Sequence, residues 1–166
     1  MVTIVQKALE FATVAHEGQL RKYNGDPYIT HPIRVSKTVA DAGGSDNMIA
    51  AALLHDVVED TDVTLDDICI KFGTEVADIV FWLTDVDLSK GNRKTRKALD
   101  RDRIAKASAD AQLIKLADLI DNTSSIVEND PHFAKVYLEE KAKILAILDK
   151  VKDTDLFKIA QSTLKG

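Results

Sequence analysis

Apolar residues recur every three or four positions along most of the chain, a spacing typical of amphipathic α-helices. It predicts helices over residues 2–17, 31–42, 46–58, 65–72, 74–86, 93–107, 110–128, 131–148 and 153–164. Turn-forming residues separate them, most clearly Asn24-Gly25-Asp26-Pro27. Residues 85–92 are expected to form a mobile loop, and no segment has a convincing strand pattern. The predicted fold class is all-α, in one domain over residues 1–166 with its core at about 2–148 and a C-terminal helix at 153–164.

One apolar run leads directly into a group of polar residues. Met48 to Leu54 is followed by the pair His55-Asp56, and Glu59-Asp60 come next. Placing four polar side chains beside such a run costs several kcal/mol unless something compensates. A bound cation is the simplest compensation, so this stretch is a candidate metal site.

Four residues are candidate metal ligands: His31, His55, Asp56 and Asp118. Each also has an ordinary interpretation, because a single histidine often packs or caps a helix and a mid-helix aspartate can face solvent. Together they offer two imidazoles and two carboxylates, all on or beside apolar helices. Such a nitrogen and oxygen set suits an octahedral first-row ion such as Mn²⁺, with iron or zinc possible. About two positions would remain for water or substrate.

Glu59 and Asp60 are candidate catalytic residues. They follow His55 and Asp56 by four residues each, so a continuing helical turn would place them beside the metal pair. A carboxylate there can orient a water and accept or return its proton. Alternatively, these acids belong to the N-terminus of the next helix and cap it together with Thr61 and Asp62.

The basic residues are unevenly distributed. The window 90–106 contains eight lysines and arginines but only two acids. It forms either a solvated helix face or an anion site for phosphates. Arg21 and Lys22 precede the turn before His31 and could reach phosphate oxygens. Tyr137 is either packed in a late helix or contacts a sugar or base, and Lys115 is expected to be solvated or to extend its charged end to solvent.

Composition narrows the function classes. The chain of 166 residues is 45% hydrophobic and 30% charged, as in ordinary globular proteins. Its net charge of −5 argues against binding a nucleic-acid polymer. The single cysteine, Cys69, excludes an internal disulfide and favours a reducing, cytoplasmic setting. No signal-peptide core and no apolar run of about 20 residues is present, so no membrane association is expected, and the oligomeric state is not predicted.

Three motifs in order resemble the HD-domain hydrolases of RelA/SpoT type. They are Tyr28-Ile29-Thr30-His31-Pro32, then Ala51 to Thr61 around His55-Asp56, then Ile114-Lys115-Leu116-Ala117-Asp118 with Asn122. The resemblance covers roughly residues 8–148, and the three motifs together are highly specific. The chain is too short for the synthetase and regulatory domains of the long enzymes. It is therefore expected to be a small alarmone hydrolase similar to the metazoan SpoT homologue.

The resemblance implies an all-α HD fold that removes the 3′-pyrophosphate of ppGpp or pppGpp, leaving GDP or GTP. It implies one Mn²⁺ held by the four candidate ligands and a water handled by Glu59 and Asp60. It also implies substrate contacts from eight residues: Arg21, Lys22, Asn122, Ser125, Arg93, Arg96, Lys97 and Tyr137.

Two departures from the family pattern affect the nucleotide. After Asp118 the long enzymes usually read Arg-Leu-His-Asn-Met-Arg-Thr, whereas this chain has Leu119-Ile120-Asp121-Asn122-Thr123-Ser124-Ser125. Two basic residues are missing and an acid is added, and Phe133 replaces an arginine of the metazoan relative. Alternative substrates are therefore ppApp, the 2′-phosphate of NADPH, or a dNMP. A nucleotide sensor that has lost catalysis is a further alternative.

Overall fold

The chain folds into helices joined by short turns. A computed structural model describes residues 1–165, apart from the side chain of Lys165; Gly166, which the expected domain includes, lies outside the described residues. The α-helices are α1 (Ile4–Ala15), α2 (Thr30–Asp41), α3 (Asp46–Leu54), α4 (Val57–Asp60), α5 (Leu65–Phe72), α6 (Thr74–Leu83), α7 (Arg93–Lys106), α8 (Ala109–Asn129), α9 (Pro131–Leu145) and α10 (Asp155–Ser162). Two 3-10 helices cover Leu88–Lys90 and Thr163–Lys165.

These elements form two compact units. The first, Met1–Thr84, contains α1 to α6, and the second begins at Asp85 and contains α7 to α10 with both 3-10 helices. Within residues 1–165 there is no β-strand, only an isolated bridge between Leu20 and Pro27. The predicted all-α class is confirmed. The same described residues contain no helix with the length and apolar character needed to cross a membrane.

Helix α3 forms the centre of the first unit, packed against α1, α2 and α6. Ser45 caps its N-terminus by accepting a hydrogen bond from the amide of Met48. Its three consecutive alanines, Ala50 to Ala52, are fully buried. Their small side chains allow close approach on several sides, as in helices that are apolar all round. A Cβ at Gly44, before α3, would lie 2.9 Å from the carbonyl oxygen of Val39, so this turn requires glycine.

Helix α8 is the longest element of the second unit and packs against α9 and α10. Ser108 caps its first turn, and its buried face includes Ile114, Leu116 and Ala117. After Asn129, Asp130 accepts a hydrogen bond from the amide of Phe133 and Pro131 starts α9. The break predicted at residues 129–131 is therefore present.

One of the predicted helix boundaries that were wrong lies beside the candidate site. The expected helix over 46–58 ends at Leu54, and a separate helix, α4, begins at Val57. The amide of His55 is 3.5 Å from the oxygen of Ala52, three residues back, and Asp56 has φ −102° and ψ −2°. The regular hydrogen-bond pattern is therefore interrupted where the polar pair begins. Elsewhere, the helix expected over 74–86 ends at Leu83, and the expected loop over 85–92 includes a 3-10 helix.

Candidate metal centre and substrate site

His31 is held in the first turn of α2. Its amide donates to the carbonyl of Tyr28 at 3.0 Å, and Pro32 follows it at a position where a missing N–H does not disturb the helix. The side chain is 1% exposed, so its imidazole points into the protein rather than to solvent. Its ring lies 5.3 Å from that of His55, between centroids.

The tautomer of His55 follows from its surroundings. Its Nδ1 lies 2.6 Å from the carbonyl oxygen of Ala52. Because a carbonyl only accepts hydrogen bonds, Nδ1 carries the proton and the lone pair of the neutral ring is on Nε2. That Nε2 is 3.1 Å from Oδ2 of Asp56. The break between α3 and α4 thus gives the ring a backbone anchor on one side and a carboxylate on the other.

Asp56 faces both imidazoles. Its Oδ2 is 3.1 Å from Nε2 of His55 and 3.6 Å from Nε2 of His31. The three residues each offer a ligand atom within 4.8 Å of the others. The lone pair of His55 and a carboxylate at this separation repel each other unless a proton or a metal cation lies between them. Two imidazole nitrogens and a carboxylate oxygen are ligands that divalent first-row metals accept, so this cluster fits a metal ion.

Tyr28 was not among the predicted site residues. Its hydroxyl donates a hydrogen bond of 2.6 Å to Oδ2 of Asp56. A donor of this kind orients a carboxylate that binds metal and tunes its charge. Its position in the motif around His31 was the signal in the sequence. Arg21 lies close by, with its Cζ 5.8 Å from the centre of the Tyr28 ring, whereas Lys22 has its Nζ 5.4 Å from the ring of Tyr23.

Glu59 and Asp60 lie on the short helix α4. The amide of Asp60 donates to the carbonyl of Asp56 at 3.0 Å, so one helical turn separates the acid pair from the pair before it. Partial burial of its carboxyl, and then the charge of Asp56, raises the pKa of Asp60 above its ordinary value. Gln19 opposes this shift by donating a hydrogen bond of 3.1 Å to Oδ2 of Asp60.

Asp118, in the second unit, is buried in the middle of α8. Its carboxylate accepts hydrogen bonds of 3.2 Å from Nζ of Lys115 and from Nδ2 of Asn122. Lys115 was expected to be solvated or to extend its charged end to solvent; its side chain is 21% exposed and its ammonium is paired with Asp118. Burial lowers the pKa of Lys115, but the charges of Asp118 and Asp85 outweigh it and raise the pKa above its ordinary value.

Asp118, Asn122 and Ser125 lie along one face of α8, at spacings of four and three residues. Tyr137, on α9, donates its hydroxyl proton toward the carbonyl of Leu119 at 3.2 Å and accepts from Thr123 at 3.3 Å. Burial raises the pKa of Tyr137 to about 12. Its hydroxyl thus packs α9 against α8, which was one of its two expected roles.

The predicted basic residues lie at the start of α7. Arg93 donates two hydrogen bonds of 2.9 Å to the carboxylate of Glu140, and its guanidinium lies 5.2 Å from the centre of the Phe133 ring. Arg96 donates to the carbonyl of Gly91 at 3.1 Å, and Lys97 is half-buried. The spacing of three and four residues puts Arg96 and Lys97 on the same side of the helix as Arg93.

The chain as a whole can be compared with known proteins. A family model described as the HD domain matches residues 8–153, which span both units. The chain belongs to the HD-domain family. This HD-domain protein is 35% identical over 147 residues to MESH1 of Homo sapiens, a guanosine-3′,5′-bis(diphosphate) 3′-pyrophosphohydrolase, covering 84% of this chain and 81% of that protein.

A solved structure of a metazoan ortholog of SpoT that hydrolyzes ppGpp superimposes with a TM-score of 0.87 at 32% identity. The match covers 98% of this HD-domain chain and 94% of that one. A longer relative, the guanosine-3′,5′-bis(diphosphate) 3′-pyrophosphohydrolase of Aquifex aeolicus, is 37% identical over 145 residues, covering 86% of this chain. The chain spans only 19% of that protein's length. The resemblance to RelA/SpoT-type hydrolases is confirmed.

Proposed function

We propose that this HD-domain protein is a metal-dependent guanosine-3′,5′-bis(diphosphate) 3′-pyrophosphohydrolase. It would convert ppGpp to GDP, or pppGpp to GTP, and release pyrophosphate. The observation that carries the proposal is the cluster of two buried histidines, His31 and His55, with the half-buried Asp56, in which Nε2 of His55 faces the carboxylate. This cluster lies in a chain that matches MESH1 of Homo sapiens, a 3′-pyrophosphohydrolase, over 81% of that protein's length.

The proposed metal is Mn²⁺, one per chain, with Asp118 as the fourth ligand. The mixed imidazole and carboxylate set favours Mn²⁺, iron or zinc over softer ions. Asp118 is supported by its match to the family motif and by its burial in the middle of α8, between the buried residues Ala117 and Leu119. When bound, the metal supplies Lewis acidity to phosphate oxygens and makes water more acidic.

The chain's own residues would handle the water and the phosphates. Glu59 and Asp60 would orient the attacking water and accept its proton, and partial burial, which raises the pKa of Asp60, makes its carboxylate a better proton acceptor than an exposed one. The water oxygen would bond to the phosphorus as the bond from phosphorus to the ribose 3′-oxygen breaks, and the proton taken from the water would pass to that 3′-oxygen. Positive charges would offset the phosphoryl charge that develops: Arg21, Lys22, Arg93, Arg96 and Lys97.

Asn122, Ser125 and Tyr137 are the proposed contacts to the nucleoside. Asn122 holds Asp118 through one amide hydrogen and has further hydrogen-bonding capacity for a ligand. The proposed partner is thus a small nucleotide, and the net charge of −5 argues against a nucleic-acid polymer. A cytoplasmic location is proposed from the single cysteine and from the nature of this substrate.

A second candidate keeps the chemistry and changes the nucleotide. Asp121 precedes Asn122 on α8, and Arg93 is bound to Glu140 and stacked on Phe133. Both features alter the region expected to select the base and the 5′-phosphates. The alternative substrates are therefore ppApp, the 2′-phosphate of NADPH, or a dNMP, and a catalytically silent sensor is the remaining alternative.

Product analysis tests the proposal. Purified protein loaded with Mn²⁺ is incubated with ppGpp, pppGpp, ppApp, NADPH and dNMPs, and the products are separated by chromatography. We expect pyrophosphate together with GDP or GTP. Release of orthophosphate from NADPH or a dNMP, with ppGpp left uncut, would establish the second candidate. Tight binding of ppGpp without cleavage over hours would establish a sensor. Parallel loading with Fe²⁺ and Zn²⁺ tests the metal.

A further inference from the structure

A chain of hydrogen bonds leads from the end of α1 to the acid pair on α4. His16 follows α1, and its side chain is 3% exposed. Its Nδ1 lies 2.8 Å from Oε1 of Gln19, and Nε2 of Gln19 lies 3.1 Å from Oδ2 of Asp60. Neither His16 nor Gln19 was singled out in the sequence, and neither is a proposed metal ligand or substrate contact.

The chemistry of the groups fixes the direction of this chain. A carboxylate only accepts hydrogen bonds, so the NH₂ of Gln19 faces Asp60 and its carbonyl oxygen faces His16. The carbonyl oxygen also only accepts, so Nδ1 of His16 carries a proton and donates it. The other ring nitrogen, Nε2, is buried and has no hydrogen-bond partner among residues 1–165.

The backbone holds the same residues in place. The amide of Gln19 donates to the carbonyl of His16 at 2.9 Å, and the amide of Tyr28 donates to the carbonyl of Gln19 at 2.8 Å. The bridge between Leu20 and Pro27 continues this pairing. The ring of His16 lies 4.9 Å from that of Tyr28, whose hydroxyl bonds Asp56. One loop therefore supports Asp60 through Gln19 and Asp56 through Tyr28.

We propose that His16 and Gln19 are positioning residues that hold the carboxylate of Asp60 in the orientation needed to handle the attacking water. A packing role alone does not explain the imidazole, because an apolar ring would fill the same space without burying an unsatisfied nitrogen. Its polarity is used on the Nδ1 side, where it orients the Gln19 amide. The inference rests on the proposed hydrolase function, since it assigns Asp60 to the water.

Kinetics of Gln19→Leu test this role, with Gln161→Leu on the exposed side of α10 as the matched control. We expect kcat on ppGpp to fall about tenfold in Gln19→Leu, less than the roughly hundredfold or more that a general acid–base group itself contributes, because Gln19 acts only through Asp60. KM and the amount of bound Mn²⁺ should stay within about twofold of the unmodified protein, because Gln19 is neither a proposed metal ligand nor a proposed substrate contact. A change confined to KM or to metal content would overturn the proposal.

A double-mutant cycle with Asp60→Asn asks whether Gln19 acts through Asp60. Once Asp60 is replaced, Gln19→Leu should produce no further loss of kcat. If the loss of kcat in the double variant equals the product of the losses in the two single variants, the inference is contradicted. His16→Asn, whose amide can donate near the position of Nδ1, should retain more activity than His16→Leu, and equal losses in these two variants would also contradict it.

A measurement without turnover separates this inference from the proposed function. The side-chain amide signal of Gln19 in a ¹⁵N-labelled protein is assigned by its disappearance in Gln19→Leu. We expect it to shift in His16→Leu and in Asp60→Asn and to stay in place in His132→Leu. An unchanged signal in His16→Leu overturns the positioning network. If no nucleotide is cleaved, the hydrolase proposal fails, while the amide signal still decides whether the network exists.

Discussion

The aspartates of the candidate site have different partners in the two units. In the first, Asp56 is met by the hydroxyl of Tyr28 and by two imidazoles, one of which directs its lone pair toward it. In the second, Asp118 is bound by the ammonium of Lys115 and the amide of Asn122 on its own helix. The second carboxylate therefore has a cation supplied by the chain, whereas the first cluster is built to receive one.

This difference extends to other basic groups of the second unit. Lys141, on α9, is fully buried and donates a hydrogen bond to the hydroxyl of Thr163. Arg93 is bound through two hydrogen bonds to Glu140. The second unit thus carries its own positive charges in partly or fully desolvated positions. We therefore expect the removal or addition of metal to change the properties of the first unit more than those of the second. A change of pH should instead act mainly on the second unit.

The largest expected effect comes from the first unit. Asp56→Ala or His55→Ala removes a proposed ligand, so Mn²⁺ content and ppGpp cleavage should be lost together, by a factor of at least about 1,000 in rate. Glu59→Gln is the matched comparison: it should lose rate and keep the metal. Elemental analysis and product chromatography measure both quantities. Cleavage by metal-free Asp56→Ala protein would refute the metal assignment.

The second expected effect concerns Lys141 and pH. Burial lowers the pKa of Lys141 to about 8, from an ordinary value of 10.5. Below pH 8 the group is charged in both the folded and unfolded states, so burial of the charge opposes folding in full. Between pH 8 and pH 10.5 Lys141 has lost its proton in the folded protein but keeps it in the unfolded chain. The free energy of unfolding should therefore rise with pH across this range, by at most about 3 kcal/mol.

Urea unfolding of the unmodified protein and of Lys141→Met at several pH values between 7 and 10 isolates this contribution. The stability advantage of Lys141→Met should shrink as pH rises across that window. Lys152→Met, at an exposed lysine, serves as the control and should show no such trend. A stability difference between the unmodified protein and Lys141→Met that is independent of pH would mean that Lys141 is not buried with a lowered pKa.

A smaller effect is expected at Lys115. Lys115→Met leaves the carboxylate of Asp118 with its amide donor but without its ammonium, which should lower the free energy of unfolding by about 2 kcal/mol in metal-free protein. If Asp118 binds Mn²⁺ as proposed, saturating metal should restore part of this loss. Thermal unfolding with and without Mn²⁺ measures it. An equal loss in both conditions would argue against Asp118 as a ligand.

The smallest expected effect is at Tyr28. Tyr28→Phe removes the hydroxyl that donates to Asp56 and keeps the ring beside His16. Loss of a residue that orients a ligand commonly weakens metal binding about tenfold. Titration calorimetry with Mn²⁺ measures the affinity, and Tyr23→Phe is the control. Unchanged affinity in Tyr28→Phe would show that the Tyr28 hydroxyl is not needed to orient Asp56 for the metal.

Much of the fold could be predicted from the sequence because the apolar residues are regularly spaced. The all-α class and the break at residues 129–131 follow from periodicity and turn residues. The pair His55-Asp56 stood out because polar residues follow an uninterrupted apolar run. The interruption of the helix there could not be predicted, since it depends on how His55 and Asp56 contact groups distant in sequence, and helix propensity does not report this.

The supporting residues of the site were harder to find for the same reason. Tyr28 lies 28 residues before Asp56, and Gln19, which His16 contacts, lies 41 residues before Asp60; loop pairing brings them together. The partly buried pair of Lys115 with Asp118 was not predicted, since a lysine three residues before an aspartate usually forms an exposed pair. Its burial is a property of how α8 packs, which the pattern of one helix does not specify.

The central position of α3 also determines how this protein tolerates mutation. Six of its nine residues are buried, from Met48 through Leu54, and three of them are alanines with no exposed surface. Larger side chains there would overpack the centre of the unit and smaller ones would leave cavities. A comprehensive mutational scan should therefore show an intolerant block ending at Leu54 that adjoins the proposed metal ligands His55 and Asp56. Scored by activity alone, that block would merge with the proposed ligands; scored by protein abundance, it would separate from His55 and Asp56.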